Sequence, residues 1–286
     1  MYQYPIINPV DYHKASKKLR EFFESRGYVE IPAQPRLSIL AACEDPTTVS
    51  CFEYGDQTWP LKQTGQMDLE YELLANPELT SVYCQTTSYR NEKNPIPGRH
   101  DLIFPMFEFE SRGDMNDLIE MEADLLEFCN IPKSKNKDKS QSDNYLQYDY
   151  EEVCRLMNRS ILEAEDEEEI CRKMAPVVFL TNFPEKTHPF WNMKRRNDGT
   201  ARKVDVLLYG METIGSAERE VDSQVMYDRF HAISDGEYAD LLYTKFGRDR
   251  VLRELDEFLS LDMTKRYGGG IGMTRFIRAL KQSDNL

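Results

Sequence analysis

Arginines and carboxylates recur in the stretch SYRNEKNPIPGRHDLIFPMFEFE at spacings that suit a phosphate-bearing ligand. Arg90 and Glu92 lie two residues apart, so an extended strand presents both on one face. Arg99 and His100 follow in a polar loop, and Glu108 and Glu110 share one face of the return strand. A guanidinium grips phosphate oxygens two at a time. Carboxylates on the same floor would take an ammonium, an exocyclic amine or a metal ion. A plain hairpin with exposed ion pairs fits this segment equally well.

Two further acids frame KVDVLLYGMETIG. Asp205 lies in a very hydrophobic strand and Glu212 follows seven residues later. Hard oxygen ligands on neighbouring strands would hold Mg²⁺, which uses one or two carboxylates together with substrate phosphates. Read alone, a solvent-facing Glu at a turn explains the pair as well. SAERE then supplies Glu218, Arg219 and Glu220, either an ion-pair cluster at a helix start or a fork for a substrate carboxylate. Near the end, YGGGIGMTR combines four glycines with Arg275, which permits close backbone approach beside a helix start. No Lys-Ser/Thr follows, so this is not a phosphate-binding P-loop, and no βαβ unit frames it as a dinucleotide site.

The elements that must position these residues follow from periodicity. Residues 9–27 form an amphipathic helix with Leu19, Phe22 and Phe23 on one side and Gly27 as the stop. YVEIPAQP reads as a strand. Residues 77–92 and 102–110 read as antiparallel strands joined by KNPIPGRHD. Helices are expected over 114–130, 161–174, 217–232 and 248–260, the second an acidic run read as a solvated face. VVFLTNFP is a buried strand, KVDVLLYGMETIGSAERE is strand, turn and strand, and RYGGGIGMTRFIRAL is a strand entering a helix. Residues 132–144 have almost no apolar character and read as a mobile surface loop. Strands meeting at hairpins point to an α+β fold, an antiparallel sheet flanked by helices, in one domain spanning 1–286.

Composition narrows the class. The 286 residues are 40% hydrophobic and 30% charged, which fits a soluble, cytoplasmic protein with a sizeable core. No run approaches the ~20 apolar residues of a membrane span. The six cysteines form no CxxC pair and read as reduced thiols. A net charge of −14 disfavours tRNA or any other large nucleic acid as partner, apart from a local basic patch at Lys194, Arg195, Arg196, Arg202 and Lys203.

Taken in order, the segments resemble the three signature motifs of class II aminoacyl-tRNA synthetases, in the subgroup of the aspartyl, asparaginyl and lysyl enzymes. The helix at 9–27 with YVEIPAQP resembles motif 1, whose closing proline matches Pro35 and which builds a homodimer interface. SYRNE to FEFE resembles motif 2 and GGGIGMTR resembles motif 3. The resemblance implies ATP and Mg²⁺ as cofactors. It places Arg90 on the α-phosphate and the activated carboxylate, Glu92 on the adenine amine, and Arg99 and His100 toward the β- and γ-phosphates. Phe104 and Arg275 would cover the two faces of adenine, and Asp205 and Glu212 match the Mg²⁺ carboxylates. Glu44 resembles a mobile-loop Glu that caps the substrate ammonium, Gln66 matches an amino-acid-binding Gln with Glu108 nearby, and Arg219 matches the Arg that meets an Asp or Asn side chain. The implied product is an acyl-adenylate plus pyrophosphate.

The acceptor is a separate question. Motif 1 starts within the first 20 residues, so the expectation is a protein without the anticodon-binding domain that the tRNA enzymes carry before it. The chain is similar to the archaeal-type asparagine synthetase related to asparaginyl-tRNA synthetase, above all at GSAERE and PFW, which implies ammonia as acceptor and Glu218 as the residue that orients or deprotonates it. Adenylate transfer to another small molecule or protein, stand-alone tRNA charging and an inactive regulatory module are the alternatives. One departure stands out. Relatives that take free aspartate usually carry a Lys three residues after the position of Gln66, where this chain has Leu69. Lys62 or Arg99 would have to compensate.

Overall fold

The computed structural model describes residues 7–33, 37–39, 48–96, 98–133 and 144–286. Pro35, Glu44 and most of the 132–144 segment fall outside these residues.

Helix α1 (Pro9–Ser25) starts where the sequence dictates. The Asn8 side chain accepts from Val10 N and Asp11 N at 2.9 and 3.2 Å, Pro9 needs no donor there, and Gly27 turns the chain out at φ 80°. Strand β1 (Val29–Glu30) pairs parallel with β4 (Ser81–Tyr89), which joins β5 (Ile103–Arg112) through the expected hairpin. Between them lie a small hairpin, β2 (Cys51–Tyr54) with β3 (Gln57–Pro60), and helix α2 (Gln66–Ala75). Helix α3 (Met115–Phe128) opens on a capping box at Asp114 and Asp117. After it come β6 (Leu146–Asp149), α4 (Tyr150–Met157), α5 (Ala164–Lys173), β7 (Val177–Phe183), β8 (Ala201–Leu208) and β9 (Met211–Glu218). Helices α6 (Ser223–Ala232), α7 (Glu237–Phe246) and α8 (Arg248–Leu259) precede β10 (Arg266–Gly272) and α9 (Met273–Gln282).

Eight strands form one sheet in the order β1-β4-β5-β10-β9-β8-β7-β6. The six central strands are antiparallel and the two edges pair parallel. This is the expected α+β architecture. One face is sealed by α1, α3 and α9 over a core that includes Phe22, Phe23, Phe107, Phe109, Ile214 and Ile271. On the other face, α2 and the α6–α8 cluster cover one end around Trp191 and Phe230, and α4 and α5 cover the other end around Val178 and Leu180. The floor between those two ends carries the polar residues.

Alternation decides which side chains reach that floor. Phe107 and Phe109 point into the sealed core, so Phe104, Met106, Glu108 and Glu110 point the opposite way. Asp205 pairs with Gly215 and lies between the core residues Val204 and Val206, so it also faces the floor. Two expectations need correction. Ala217 and Glu218 finish β9 rather than start a helix; α6 begins at Ser223, where the Asp222 side chain accepts from Gln224 N and Val225 N. Arg90 and Glu92 lie just past β4 instead of within it, although Arg90 N still donates to Leu102 O at 2.8 Å. The five cysteines among the described residues are free thiols. No helix among them is long and apolar enough to cross a membrane.

Candidate active site

Two cavities of about 260 Å³ each adjoin on the open floor and share Arg90, Met106, Glu212, Gly215 and Gly270. Jointly they reach the several hundred Å³ typical of small-ligand sites. The first is lined by Glu92, His100, Phe104 and Arg275 in addition to the shared residues. Arg275, in the first turn of α9, donates from Nη1 to Glu212 O at 2.6 Å and from Nη2 to Arg99 O at 3.2 Å, and so ties the loop after β4 to the β8–β9 turn. The Arg90 guanidinium carbon is 5.4 Å from the Phe104 ring centre, and His100 Nδ1 is 2.9 Å from Glu92 Oε2. The sequence-expected nucleotide residues therefore gather in one place.

Beside them stands a carboxylate cluster. Burial lifts Asp205 to about 7, the nearby Glu212 charge adds to it, and Lys203 opposes it. Asp205 Oδ2 accepts from Lys203 Nζ at 2.7 Å, whereas its buried Oδ1 has no hydrogen-bond partner among the described residues. Gly215 opens the space between the two acids, because a Cβ there would stand 2.8 Å from Glu212 Oε1 and 3.6 Å from Asp205 Oδ1. An orphaned buried carboxylate oxygen beside a second carboxylate suits a hard divalent cation that takes its other ligands from phosphates.

A third acid was missed. Glu167, in the acidic helix read as a solvated face, ion-pairs with Arg99 Nη2 and accepts from Glu212 N at 2.7 Å. Burial raises its carboxyl, as does the Glu212 charge. The sequence did carry a signal. Glu167 lies three and four residues before the buried Ile170 and Cys171, hence on the inward side of α5. Arg99 lines the first cavity, but Glu167 already holds its charge.

The second cavity differs more from expectation. Arg219 lines it but is only 2% exposed, and its Nε and Nη2 donate to Glu110 Oε1 and Oε2 at 3.1 and 3.0 Å. Glu70 and Arg266 complete a buried quartet, with Arg266 Nη2 donating to Glu70 Oε2 at 2.6 Å. Gln66 Nε2 and Asn192 Nδ2 both donate to Glu70 Oε1, at 2.7 and 2.6 Å. Burial pushes the Glu70 carboxyl up, but the Arg266 and Arg219 charges outweigh it and hold it below its ordinary range. Glu108 lines the cavity while accepting from Gly65 N at 2.9 Å and from the Thr64 and Thr86 hydroxyls. It thereby anchors the start of α2. Gly268 is required by this quartet, since a Cβ there would fall on the Glu110 carboxylate and 2.5 Å from Phe109 O.

Three sequence expectations fail here. Glu218 shares its side of β9 with the core residue Ile214, and its Oε2 accepts from Met115 N and Arg202 Nη1 at 3.0 and 2.7 Å. It faces α3 across the sheet from the cavities and cannot act on an acceptor there. Leu69 packs with Ile31, Leu73 and Val82, and so contributes nothing polar. Lys62 pairs with Asp68 beside a separate, smaller cavity, and Arg99 lines the first cavity and not the second. Neither stands in for a cation at position 69. Lys203, which lines the second cavity, was read only as part of a basic patch.

With the geometry in place, comparison with known proteins is decisive for the family. The family described as tRNA synthetases class II (D, K and N) matches residues 11–286. The chain belongs to that family. An aspartate–tRNA(Asp) ligase from Thermoplasma volcanium is 24% identical over 233 residues, 74% of this chain and 53% of the relative. An aspartate–tRNA(Asp/Asn) ligase from Methanopyrus kandleri is 22% identical over 94% of this chain and 63% of its own length. An asparaginyl-tRNA synthetase of Pyrococcus horikoshii, solved with asparaginyl-adenylate, superposes with a TM-score of 0.73 at 19% identity, covering 96% of this chain and 66% of that one. The chain thus spans between about half and two thirds of the length of these relatives. Their names are those of tRNA enzymes, so the expectation that tRNA is disfavoured gains no support from them.

Proposed function

We propose that this class II synthetase-family chain activates a carboxylate of aspartate or a related amino acid with ATP, forming an acyl-adenylate and releasing pyrophosphate. The observation that carries this reading is the convergence of Arg90, Arg275, Glu212 and the adjacent Asp205 on two adjoining cavities that meet at Arg90. Adenine would lie between Phe104 and Arg275, with Glu92 at its amine. Arg90 sits at the junction, where it would hold an α-phosphate oxygen and the attacking carboxylate in line. The carboxylate oxygen then bonds to the α-phosphorus as the bond to the pyrophosphate oxygen breaks. Asp205 and Glu212 would hold Mg²⁺, which when bound neutralises charge on the departing phosphates.

Two acceptors fit an acyl-adenylate formed here, ammonia and tRNA. Ammonia is supported by the similarity of Gly215–Glu220 to the asparagine synthetase branch and by the charge of −14, though Glu218 can no longer serve it. tRNA is supported by the names of the relatives. A homodimer through α1 and β1 is supported by the place of β1 at the edge of the sheet among the described residues, where Val29 is 46% exposed. Pyrophosphate release should be measured with ATP, Mg²⁺ and each amino acid, with and without ammonium or tRNA. Ammonium-dependent amide formation or charged tRNA would identify the acceptor. Absence of ATP turnover with every amino acid would overturn adenylate formation.

A further inference from the structure

His188 lines the second cavity, is exposed, and has no hydrogen-bond partner for its ring nitrogens among the described residues. The other ionisable groups of that cavity are engaged or hold their protons. Arg90 and Arg219 are guanidiniums, which only donate. Glu108 accepts from Gly65 N and two threonine hydroxyls, and Lys203 donates to Asp205 Oδ2 at 2.7 Å. Glu212 stands with Asp205 at the place proposed for Mg²⁺. The backbone of His188 is unusual too. It lies at φ 51°, ψ 56°, where its N–H closes the single 3₁₀ turn Glu185–Thr187 by donating to Glu185 O at 2.9 Å. Glycine and asparagine take that conformation more readily, and the following Pro189 favours an extended one. A backbone held this way persists only where its surroundings dictate it. Arg195, with 10% of its side chain exposed, does so from both sides. It pairs with Glu185 before the histidine and donates to the carbonyls of Pro189, Phe190 and Met193 after it, at 3.0, 3.3 and 3.0 Å. Phe190 and Trp191 then root the segment against Tyr238 and Phe230.

We infer, on the adenylate-forming reading above, that His188 is the base that takes a proton from ammonia as it attacks the acyl-adenylate. An imidazole exchanges protons near neutral pH, which suits a nucleophile that arrives largely as ammonium. The nitrogen lone pair bonds to the acyl carbon, the bond from that carbon to the AMP oxygen breaks, and a proton of the new ammonium passes to the imidazole. The products are an amide, AMP and an imidazolium that gives its proton to solvent. Exposure of His188 serves both the entry of the acceptor and this last transfer. The net charge of −14 draws a small cation and opposes a polyanionic acceptor.

The test compares wild type with His188→Asn, which tolerates the same backbone but carries no base. Two rates are read on the full chain with ATP, Mg²⁺ and aspartate: ATP–pyrophosphate exchange, and asparagine formation from ammonium chloride. His188→Asn should slow amide formation about tenfold or more beyond any slowing of exchange. Free imidazole added to the variant should restore part of that loss while leaving wild type unaffected. Equal slowing of both rates would mean that His188 only shapes the cavity, no slowing that it takes no part, and a loss that imidazole does not restore that the turn and not the base matters. Each of these results overturns the assignment and leaves adenylate formation intact. Wild type that exchanges but forms no amide would overturn it as well, by removing ammonia as acceptor. Wild type that fails to exchange with aspartate would sink the adenylate reading for that substrate, and the role of His188 with it.

Discussion

Substituting Ala at Gly268 and at Gly270 should have unequal effects, although the two sites are adjacent floor positions of the same strand. A Cβ at Gly268 meets the Glu110 carboxylate and, at 2.5 Å, the Phe109 carbonyl oxygen of the neighbouring strand. Neither can yield cheaply, because Glu110 is fully buried and held by Arg219, and the carbonyl is part of the β5 ladder. Displacing Glu110 breaks a buried ion pair, which costs about 3–5 kcal/mol when one partner is left uncompensated. At Gly270 the close neighbour is the Met106 methyl at 2.6 Å, the far end of a flexible side chain, so overpacking there should cost about 1 kcal/mol. Urea denaturation of the two variants measures the difference directly. Gly268→Ala should lose at least twice the stability that Gly270→Ala loses. Comparable midpoints would refute the claim that Gly268 is required to seat the Glu110–Arg219 pair.

Two further perturbations probe carboxylates, one on each face of the sheet. Glu122 is wholly buried, accepts from Ser216 Oγ at 2.7 Å, and has its carboxyl pushed up to about 8 by burial. A raised folded pKa gives stability that is fully present below the unfolded value and is lost as pH rises through the folded one. Glu122→Gln should therefore flatten the decline in stability between roughly pH 5 and pH 8 by a few kcal/mol, read from urea midpoints across that window. A decline as steep as wild type would refute the assignment. Glu167→Gln keeps an acceptor for Glu212 N but frees Arg99 from its ion pair. Steady-state kinetics should show the KM for ATP falling roughly fivefold, worth about 1 kcal/mol. A rise would mean that Glu167 orients Arg99 rather than competing for it.

What the sequence made legible follows from which residues speak through local pattern. The β4–β5 and β8–β9 hairpins, β10 and α1 carry clear periodicity or caps, and the order of Arg90, Asp205, Glu212 and Arg275 along them was enough to bring together the residues around the first cavity. Helix α2 was missed because it is buried on most sides, with Gln66, Asp68 and Glu70 inside as well as Met67 and Leu69, so no polar stripe marks it. The β2–β3 hairpin was missed although Gly55 and Asp56 both sit at positive φ in its turn, because its strands are short and mostly exposed. The amino-acid side was the least legible. Glu70, Asn192 and Arg266 come from three distant segments, and only packing reveals that they lock Arg219 and Gln66. Glu218 went astray for the opposite reason. Its neighbours in sequence resemble a functional segment, but strand alternation sends its side chain to the other face.

The central claim is best tested by amino-acid-dependent exchange of labelled pyrophosphate into ATP, compared between wild type and Arg90→Ala. Label should enter ATP only when a suitable amino acid is present, and Arg90→Ala should abolish this while its thermal midpoint stays near that of wild type. Undiminished exchange in Arg90→Ala would contradict the account, as would a failure of every amino acid to support exchange by the wild-type chain.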